Sequence, residues 1–281
     1  MANILARLHQ DSGLYIKDVA EQVNLHHTTV SKMLKGQPCK LKPIYIDKLC
    51  DIYRAAADVR ANLQTLAAEA ELARGWWYDF GDVVSANKLD VYITLEGAAT
   101  SLTMYQGARI PGLLQTADYA RALLSTSPNL TPEEVERHVE MRMRRQAAVL
   151  TESKPKLDVI LDENVIRRLL DDPRLAEGQI RRILEVSALP NVRIRLVPFG
   201  SGIYRGTESG SFIILEFAGA SDLRPAPPVA YVDAGAGSAL YFESRDQVQR
   251  YRRSWADIER SALSDTKTRA YLSKIMKELP R

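Results

Sequence analysis

The segment from Tyr15 to Gly36, YIKDVAEQVNLHHTTVSKMLKG, constrains the fold most tightly, because its spacing predicts two short helices joined by a tight turn. Ala20 is a small residue where two helices would cross closely. Asn24, four residues later, tolerates the positive φ that such a turn needs. Val30, ten residues after Ala20, directs the second helix back onto the first. The apolar side chains available for one shared core are Val19, Val23, Leu25, Val30 and Leu34. The pattern is that of a helix-turn-helix.

The charge of this segment indicates its ligand. No Asp or Glu occurs in the 25 residues from Gln22 to Ile46. An ordinary helical hairpin has the same spacing of apolar residues, but its exposed side chains need not be basic or suited to contacting base edges in the major groove. Here the second helix begins with two histidines and two threonines, followed by Lys32 and Lys35, and Gly36 ends it. The sequence therefore predicts a helix that enters the major groove of double-stranded DNA.

Each outward residue type has a predicted role. A neutral histidine can donate or accept a hydrogen bond at a base edge, and a threonine methyl can contact thymine. Serine and lysine are suited to phosphate contacts, which position the protein along the duplex. No arginine stands in this helix to read guanine, so strong guanine selectivity is not expected. The predicted DNA contacts are Lys17, His26, His27, Thr28, Thr29, Ser31, Lys32 and Lys35.

The net charge is concentrated in the same region. The chain has 281 residues and a formal net charge of +3. Residues 1–60 contain nine Lys and Arg against six Asp and Glu, and the remainder contains 29 of each. The whole positive excess therefore lies in the segment predicted to meet phosphate.

Several function classes are unexpected for this composition. Two cysteines, Cys39 and Cys50, are too few for a disulfide framework or a four-ligand zinc site, so neither a metal nor another cofactor is expected. No apolar run approaches 18 residues, and the first residues lack the apolar core of a signal peptide. We expect a cytoplasmic protein that does not bind a membrane.

Composition shifts predict three regions. Residues 1–60 are expected to form an all-α helix-turn-helix bundle, in which Ile44–Tyr53 is a further helix. Residues 61–88 are expected to be a bridging helix and an aromatic linker; the Ala-rich pattern begins near Val59 and ends at Gly75, a suitable C-cap. Residues 89–281 are expected to be an α+β, helix-rich domain with a small sheet.

A capping box is predicted at the start of one helix in this C-terminal domain. Thr131 would be its N-cap, Pro132 is the first helical residue, and Glu134 stands three residues after Thr131. Alternating apolar residues predict short strands. The predicted helices cover about 90–107, 116–125, 131–150, 175–188, 245–261 and 264–278, with another beginning near Glu163. The predicted strands cover 156–161, 192–197, 212–217, 230–232 and 240–242.

Two resemblances cover different parts of the chain. Ile16–Leu34 resembles the headpiece of lactose-repressor-type regulators, but no hinge-helix motif follows it. The whole chain resembles the Xre-type helix-turn-helix regulators of actinobacteria, whose C-terminal domain has an obscure function. The segments that carry this second resemblance are Arg74–Trp77 (RGWW), Tyr105, Ile110–Thr116 (IPGLLQT), Asp118–Ala122 (DYARA), Arg142-x-x-Arg-Gln146, Leu161–Glu163 (LDE), Leu189–Val192 (LPNV), Val197–Phe199 (VPF), Leu215–Phe217 (LEF) and Tyr231–Asp233 (YVD).

The second resemblance implies transcriptional regulation, often with a small partner protein encoded by a neighbouring gene in an antitoxin-like arrangement. This sequence departs from the family at two places. Tyr15 and Ile16 stand where Ser/Thr-Gln usually opens the first helix of the motif, which puts one DNA contact in doubt. Asn24 replaces the usual turn glycine.

The sequence offers fewer candidate residues for an effector or a partner than for DNA. Trp76 and Trp77 could line an effector pocket or a partner groove, or could pack one domain onto the other. Tyr105 belongs to the resemblance. Arg144 lies in a basic cluster that could bind an anion or an acidic partner, although neighbouring acids favour ordinary surface pairing. The members of this cluster are Arg137, Arg142, Arg144 and Arg145.

An enzyme is not expected. Asp162 and Glu163 could form an acid–base pair, but acids commonly begin a helix, because the helix dipole favours them. Ser201–Gly206 lacks a P-loop lysine, and no Gly-x-Ser-x-Gly motif occurs. We expect a homodimeric regulator that binds operator DNA and receives a signal from a small protein or a small molecule. The alternative is an antitoxin-like protein whose C-terminal domain mainly binds a small partner protein.

Overall fold

The computed structural model describes residues 1–36, 43–72, 80, 83, 89–151, 155–218, 226–235 and 238–280. The chain divides into two compact units, Met1–Tyr78 and Asp79–Arg281. The first unit is helical in its described residues. Its helices are α1 (Ala2–Ser12), α2 (Ile16–Val23), α3 (His27–Leu34), α4 (Pro43–Ile52) and α5 (Ala57–Leu72).

The first unit has one apolar core to which all five helices contribute. Leu5, Val30 and Leu63 are completely buried in it. The side chains expected to form a core between α2 and α3 all lie there: Val19, Val23 and Val30 are buried, and Leu25 and Leu34 are partly buried. At its edge, His9 of α1 makes a 3.1 Å hydrogen bond through Nδ1 to the Tyr53 hydroxyl.

The second unit is built on a six-stranded mixed sheet. Its strands are β1 (Ser101–Gln106), β2 (Lys156–Asp162), β3 (Val192–Val197), β4 (Phe212–Glu216), β5 (Val229–Gly235) and β6 (Ser238–Phe242), in the order β3-β2-β1-β4-β5-β6. Strands β1, β2 and β3 are parallel, and β4, β5 and β6 join them as antiparallel neighbours. The sheet is larger than the small sheet that the sequence indicates.

The helices of the second unit are α6 (Asp90–Ala98), α7 (Ala117–Leu124), α8 (Pro132–Val149), α9 (Asn164–Arg167), α10 (Pro173–Val186), α11 (Arg205–Ser209), α12 (Arg245–Ser261) and α13 (Asp265–Glu278). Helix α12 packs on one face of the sheet through Val248 and Ile258. On the opposite face the ring of Tyr92, in α6, lies 4.4 Å from the ring of Tyr231, in β5. The sheet is therefore covered by helices on both faces.

Strand β1 corrects one sequence expectation. The helix predicted over about 90–107 ends at Ala98, and Ser101–Gln106 is the central strand of the sheet. Backbone pairing on both sides, with Leu102 opposite Leu157 and Leu215, outweighs the local helical spacing. A segment of six residues is too short for its period to separate helix from strand, so its tertiary partners decide its structure.

Candidate nucleic-acid interface

The turn between α2 and α3 has the geometry that the sequence predicts. Asn24 has φ 60° and ψ 48°, which is the left-handed region. The amide of Leu25 donates to the Ala20 carbonyl at 2.8 Å, and the amide of Asn24 donates to the Glu21 carbonyl at 3.0 Å. This pair of bonds is a Schellman motif, which satisfies the last carbonyls of α2 and turns the chain sharply into α3.

Burial separates the two faces of α3. Val30 and Met33 point into the core of the first unit, and Leu34 packs partly against it. The opposite side is exposed at His27, Thr28 and Lys32. A three-to-four-residue alternation of this kind leaves one stripe of the helix in contact with the core and the other free for a ligand.

The N-terminus of α3 is built by His26. This residue is the N-cap, with extended backbone (φ −69°, ψ 141°), and its Nδ1 accepts from the Thr28 amide. The same nitrogen lies 2.8 Å from the Thr28 hydroxyl, and the His26 and His27 rings are 4.3 Å apart. Both hydrogen bonds of the His26 ring, to the Thr28 amide and to the Thr28 hydroxyl, are made by Nδ1. Nε2 therefore has no partner among the described residues.

The predicted phosphate-binding residues surround this exposed stripe. Lys17 is exposed in the first turn of α2, and Lys32 and Lys35 are exposed near the end of α3. Thr29 and Ser31 are partly exposed. Gly36 follows with φ 66°, a left-handed conformation that ends the helix.

Two of the acids in this unit are neutralised within it. Arg60 of α5 donates to Asp47 at 3.0 Å and also to Asp51, and Gln64 donates to Asp47 at 2.8 Å. These bonds tie α5 to α4. They also reduce the negative charge that α4 would present to a phosphate backbone.

Two of the four candidate effector residues, Tyr105 and Arg144, lie in the part of the chain that the structure describes. Trp76 and Trp77 lie outside the described residues. Tyr105 is 2% exposed in the sheet core, where its hydroxyl is 2.7 Å from the Tyr204 hydroxyl, so a ligand would have to enter the core to touch it. Arg144 is half exposed, pairs with Glu140 at 3.0 Å and lies over the Phe80 ring at 5.3 Å. The structure does not bring Tyr105 and Arg144 into one site.

In the basic cluster on α8, Arg142 and Arg145 are paired inside the protein, whereas Arg144 has the surface pairing that the sequence favours. Arg145 holds the fully buried Glu96 of α6 through two hydrogen bonds of 2.6 and 2.7 Å. Tyr92 donates to the same carboxylate at 2.7 Å. Arg142 donates to the Gln115 side chain at 2.5 Å. Burial, together with the charges of Arg145 and Arg109, lowers the pKa of Arg142 to about 10.

The carboxylates of Asp162 and Glu163 are structural acceptors. Asp162 accepts from the Asn164 amide, at the start of α9, at 2.7 Å and also accepts from the Tyr204 hydroxyl. Glu163 is 2% exposed and accepts from Arg167 at 2.6 Å, from Tyr271 at 2.6 Å and from the Phe199 amide at 2.8 Å. Both side chains have their acceptors occupied by protein donors, which leaves no free acid–base pair.

Two surface cavities are lined by residues that the structure describes in the second unit. One, of about 460 Å³, lies between α7 and α10; the charge of its Arg121 is balanced by Asp118 and Glu136. The other, of about 260 Å³, lies between α11 and α12. Neither contains Asp162, Glu163 or Arg144. No group of three or more metal-ligating side chains occurs in the part of the chain that the structure describes.

The second cavity was not predicted from the sequence. Four of its residues follow the i, i+3, i+4, i+7 spacing of one helix face, namely Gln247, Arg250, Tyr251 and Ser254. That signal is present in the sequence, but it is shared by any amphipathic helix. The partner residues on α11 and β6 come from distant positions, so only the fold brings them together.

A membrane-spanning helix is absent from the ranges described above: none of their helices is both long enough and apolar enough. No curated protein and no solved structure matches the chain significantly. A family model described as Domain of unknown function (DUF5753) matches residues 89–274, nearly the whole of the second unit. Because this match covers well over half of the chain, the protein belongs to the DUF5753 family.

Proposed function

We propose that this protein is a sequence-specific, DNA-binding transcriptional regulator. Its N-terminal unit would bind operator DNA as a helix-turn-helix, and its DUF5753 domain would modulate that binding. The single observation that carries the proposal is the exposed stripe of α3, where His27, Thr28 and Lys32 face away from the core while Val30 and Met33 fill it.

The proposed interface divides into base readers and phosphate contacts. His26, His27, Thr28 and Thr29 stand at the start of α3, and the N-terminal residues of a recognition helix are those that reach base edges. The longer side chains of Lys32 and Lys35, one turn further on, suit the backbone, together with Ser31 and Lys17. The sequence resemblance to Xre-type regulators is a second ground for this assignment.

The proposed mechanism needs two copies of the chain. A dimer would place two recognition helices on half-sites about 34 Å apart, one turn of B-DNA. A signal received by the DUF5753 domain would change that spacing and hence the operator affinity. Light scattering of the purified protein, with and without operator, tests the dimer.

The operator is found by capturing genomic DNA fragments on the purified protein and sequencing them. On that operator, Thr29→Ala is expected to lose about 1–3 kcal/mol of preference over unrelated duplex, the size of one base contact. Thr266→Ala, at an exposed threonine of α13, is the matched control and should leave the preference unchanged. Equal preference for the wild type and Thr29→Ala would reject the assignment of α3.

A second candidate function is supported by the loop after β3. Ile203 is 96% exposed and Phe199 is 59% exposed. The base of the loop is fixed, because Glu163 accepts from the Phe199 amide and Ser201 donates to the Ser261 carbonyl at 3.0 Å. Two exposed apolar side chains on an anchored loop suit a protein partner, as in an antitoxin-like protein.

This alternative is tested with the small protein encoded by a neighbouring gene. The two chains are mixed and their complex is measured by calorimetry. Ile203→Asp is expected to abolish the complex, whereas Leu240→Asp, at another exposed apolar residue, should preserve it. A complex that forms equally well with Ile203→Asp would rule out the loop as the docking site.

A further inference from the structure

The cleft between α11 and α12 combines an aromatic floor with two cationic walls. The rings of Phe242 and Tyr251 form the floor, with their centroids 5.5 Å apart, and both rings are partly exposed. Arg205 and Arg250 line the cleft, and so does Ser254. No carboxylate is among its lining residues.

The fold holds this floor rigidly. Tyr251 lies 5.1 Å from Phe212, which is 6.0 Å from Tyr105 at the centre of the sheet. Both Tyr251 and Phe242 pack against the core that α12 forms with the sheet. A flat ligand that stacks on these two rings would therefore meet a surface that is already ordered, and little entropy would be lost in arranging it.

The cationic groups have unused hydrogen-bonding capacity. Arg205 uses Nε on the Ser254 hydroxyl, at 3.3 Å, and Nη1 on the exposed Glu208, which leaves Nη2. Arg250 makes no ion pair with any residue in the described ranges. The Tyr251 hydroxyl has no hydrogen-bond partner in those ranges either. Burial raises the pKa of Tyr251, and the charge of Arg250, which lines the same cleft, opposes this rise.

We propose that this cleft binds a small organic anion with a flat apolar body, such as an aromatic carboxylate or an aryl phosphate. A guanidinium pairs with the planar oxygens of a carboxylate or phosphate, and the aromatic floor accepts the ring. An inorganic anion would leave the floor uncovered, and a neutral ring would leave the Arg250 guanidinium and Nη2 of Arg205 unused. The volume of about 260 Å³ is below the range of drug-sized sites, so the ligand is small.

The anion would be the signal of the proposed regulator, and in that respect the inference rests on the proposed function. Binding itself does not require DNA. The site is therefore tested on the full chain without any duplex, so that a failure of DNA binding and a failure of this site give separate results.

The experiment uses benzoate and phenyl phosphate as anionic probes and benzyl alcohol as the neutral probe, each titrated by calorimetry. We expect saturable binding of at least one anionic probe at one site per chain and at least tenfold weaker binding of benzyl alcohol. Arg250→Gln is expected to weaken anion binding at least tenfold. Arg253→Gln, which removes an exposed arginine of the same helix outside the cleft, should change it less than twofold.

Tyr251→Phe provides a second variant that keeps the floor and removes only the hydroxyl. Tyr251→Phe is expected to weaken binding of the anionic probe severalfold and to leave the unfolding transition unchanged. Three results would overturn the proposal: no saturable binding of either anion, equal binding of benzyl alcohol, or anion binding that Arg250→Gln leaves intact.

Discussion

At the scale of single residues, Asn24 determines how the chain turns from α2 into α3. Its left-handed backbone costs roughly 1–2 kcal/mol for most side chains, but less for asparagine and least for glycine. Asn24→Ala is therefore expected to destabilise the first unit by about 1 kcal/mol, and Asn24→Gly to leave it nearly unchanged or slightly more stable. Hydrogen exchange of the α2 and α3 amides in the full chain measures the change in stability for both variants.

The two substitutions serve as controls for each other, because both remove the same exposed side chain. Equal acceleration of exchange in the two variants would mean that the side chain, not the backbone conformation, holds the turn. The sequence predicts the left-handed backbone of Asn24, because the positive φ is a requirement of the turn itself. It does not predict that His26 caps α3, because a histidine is an uncommon N-cap and the bond depends on its rotamer.

Glu163 makes the stability of the second unit depend on pH. Burial alone would raise the pKa of Glu163, but hydrogen bonds from Tyr271, the Phe199 amide and Arg167 outweigh it and hold the pKa below the ordinary 4.5. A carboxyl with a lowered pKa in the folded state stabilises the fold above its unfolded pKa. That contribution is lost as pH falls through the folded value.

Urea denaturation of the wild type and of Glu163→Gln, at steps from pH 7 down to about pH 3, tests this linkage. The variant is expected to be less stable at pH 7, and the difference should shrink below the ordinary pKa. Glu177→Gln, which removes an exposed carboxylate paired with Arg181, is the control and should give a small, constant difference. A difference for Glu163→Gln that stays constant with pH would contradict the assigned hydrogen bonds.

At the scale of elements, local signals predict helices better than the central strand. The capping box of α8 is present as the sequence indicates: the Thr131 side chain accepts from the Glu134 amide, and Glu134 accepts from the Thr131 amide. The bounds of α12 and α13 agree with the predicted ranges to within a residue. Strand β1 could not be predicted in the same way, because its extended structure depends on pairing with strands more than fifty residues away in the sequence.

The ion pair between α6 and α8 is a buried polar connection between two elements. Glu96 is completely buried and Arg145 is 11% exposed. Removing one partner of a buried pair leaves an uncompensated charge and costs about 3–5 kcal/mol. Arg145→Met is therefore expected to lower the free energy of unfolding by that amount in urea denaturation.

The matched control for this prediction is Arg144→Met, one residue along the same helix. Arg144 pairs with Glu140 at the surface and also lies over the Phe80 ring. An exposed ion pair contributes about 0–1 kcal/mol and an exposed cation–π contact about 0.5–1 kcal/mol, which together are less than the loss expected at Arg145. A loss of stability for Arg145→Met no greater than that for Arg144→Met would show that the buried pair is not holding α6 to α8.

At the scale of the whole molecule, the structure divides the chain into two compact units, whereas the sequence predicts three regions. The boundary between compact units falls at Tyr78 and Asp79, within the bridging region predicted over 61–88. The exposed stripe of α3 could be predicted because it lies on one short helix with one period. The cleft between α11 and α12 could not, because it joins residues from a helix, a strand and a second helix.

The central claim is that the exposed stripe of α3 contacts duplex DNA. The measurement that tests it most directly is the affinity for a duplex between about 50 and 200 mM salt, because each phosphate contact contributes roughly 0.9 to the slope of log K against log salt. Lys32→Ala combined with Lys35→Ala is expected to reduce that slope by about 2. Lys267→Ala combined with Lys277→Ala, at exposed lysines of α13, should leave it unchanged. Wild-type protein that ignores duplex DNA at the lowest salt, or equal slopes for both double variants, would contradict the account.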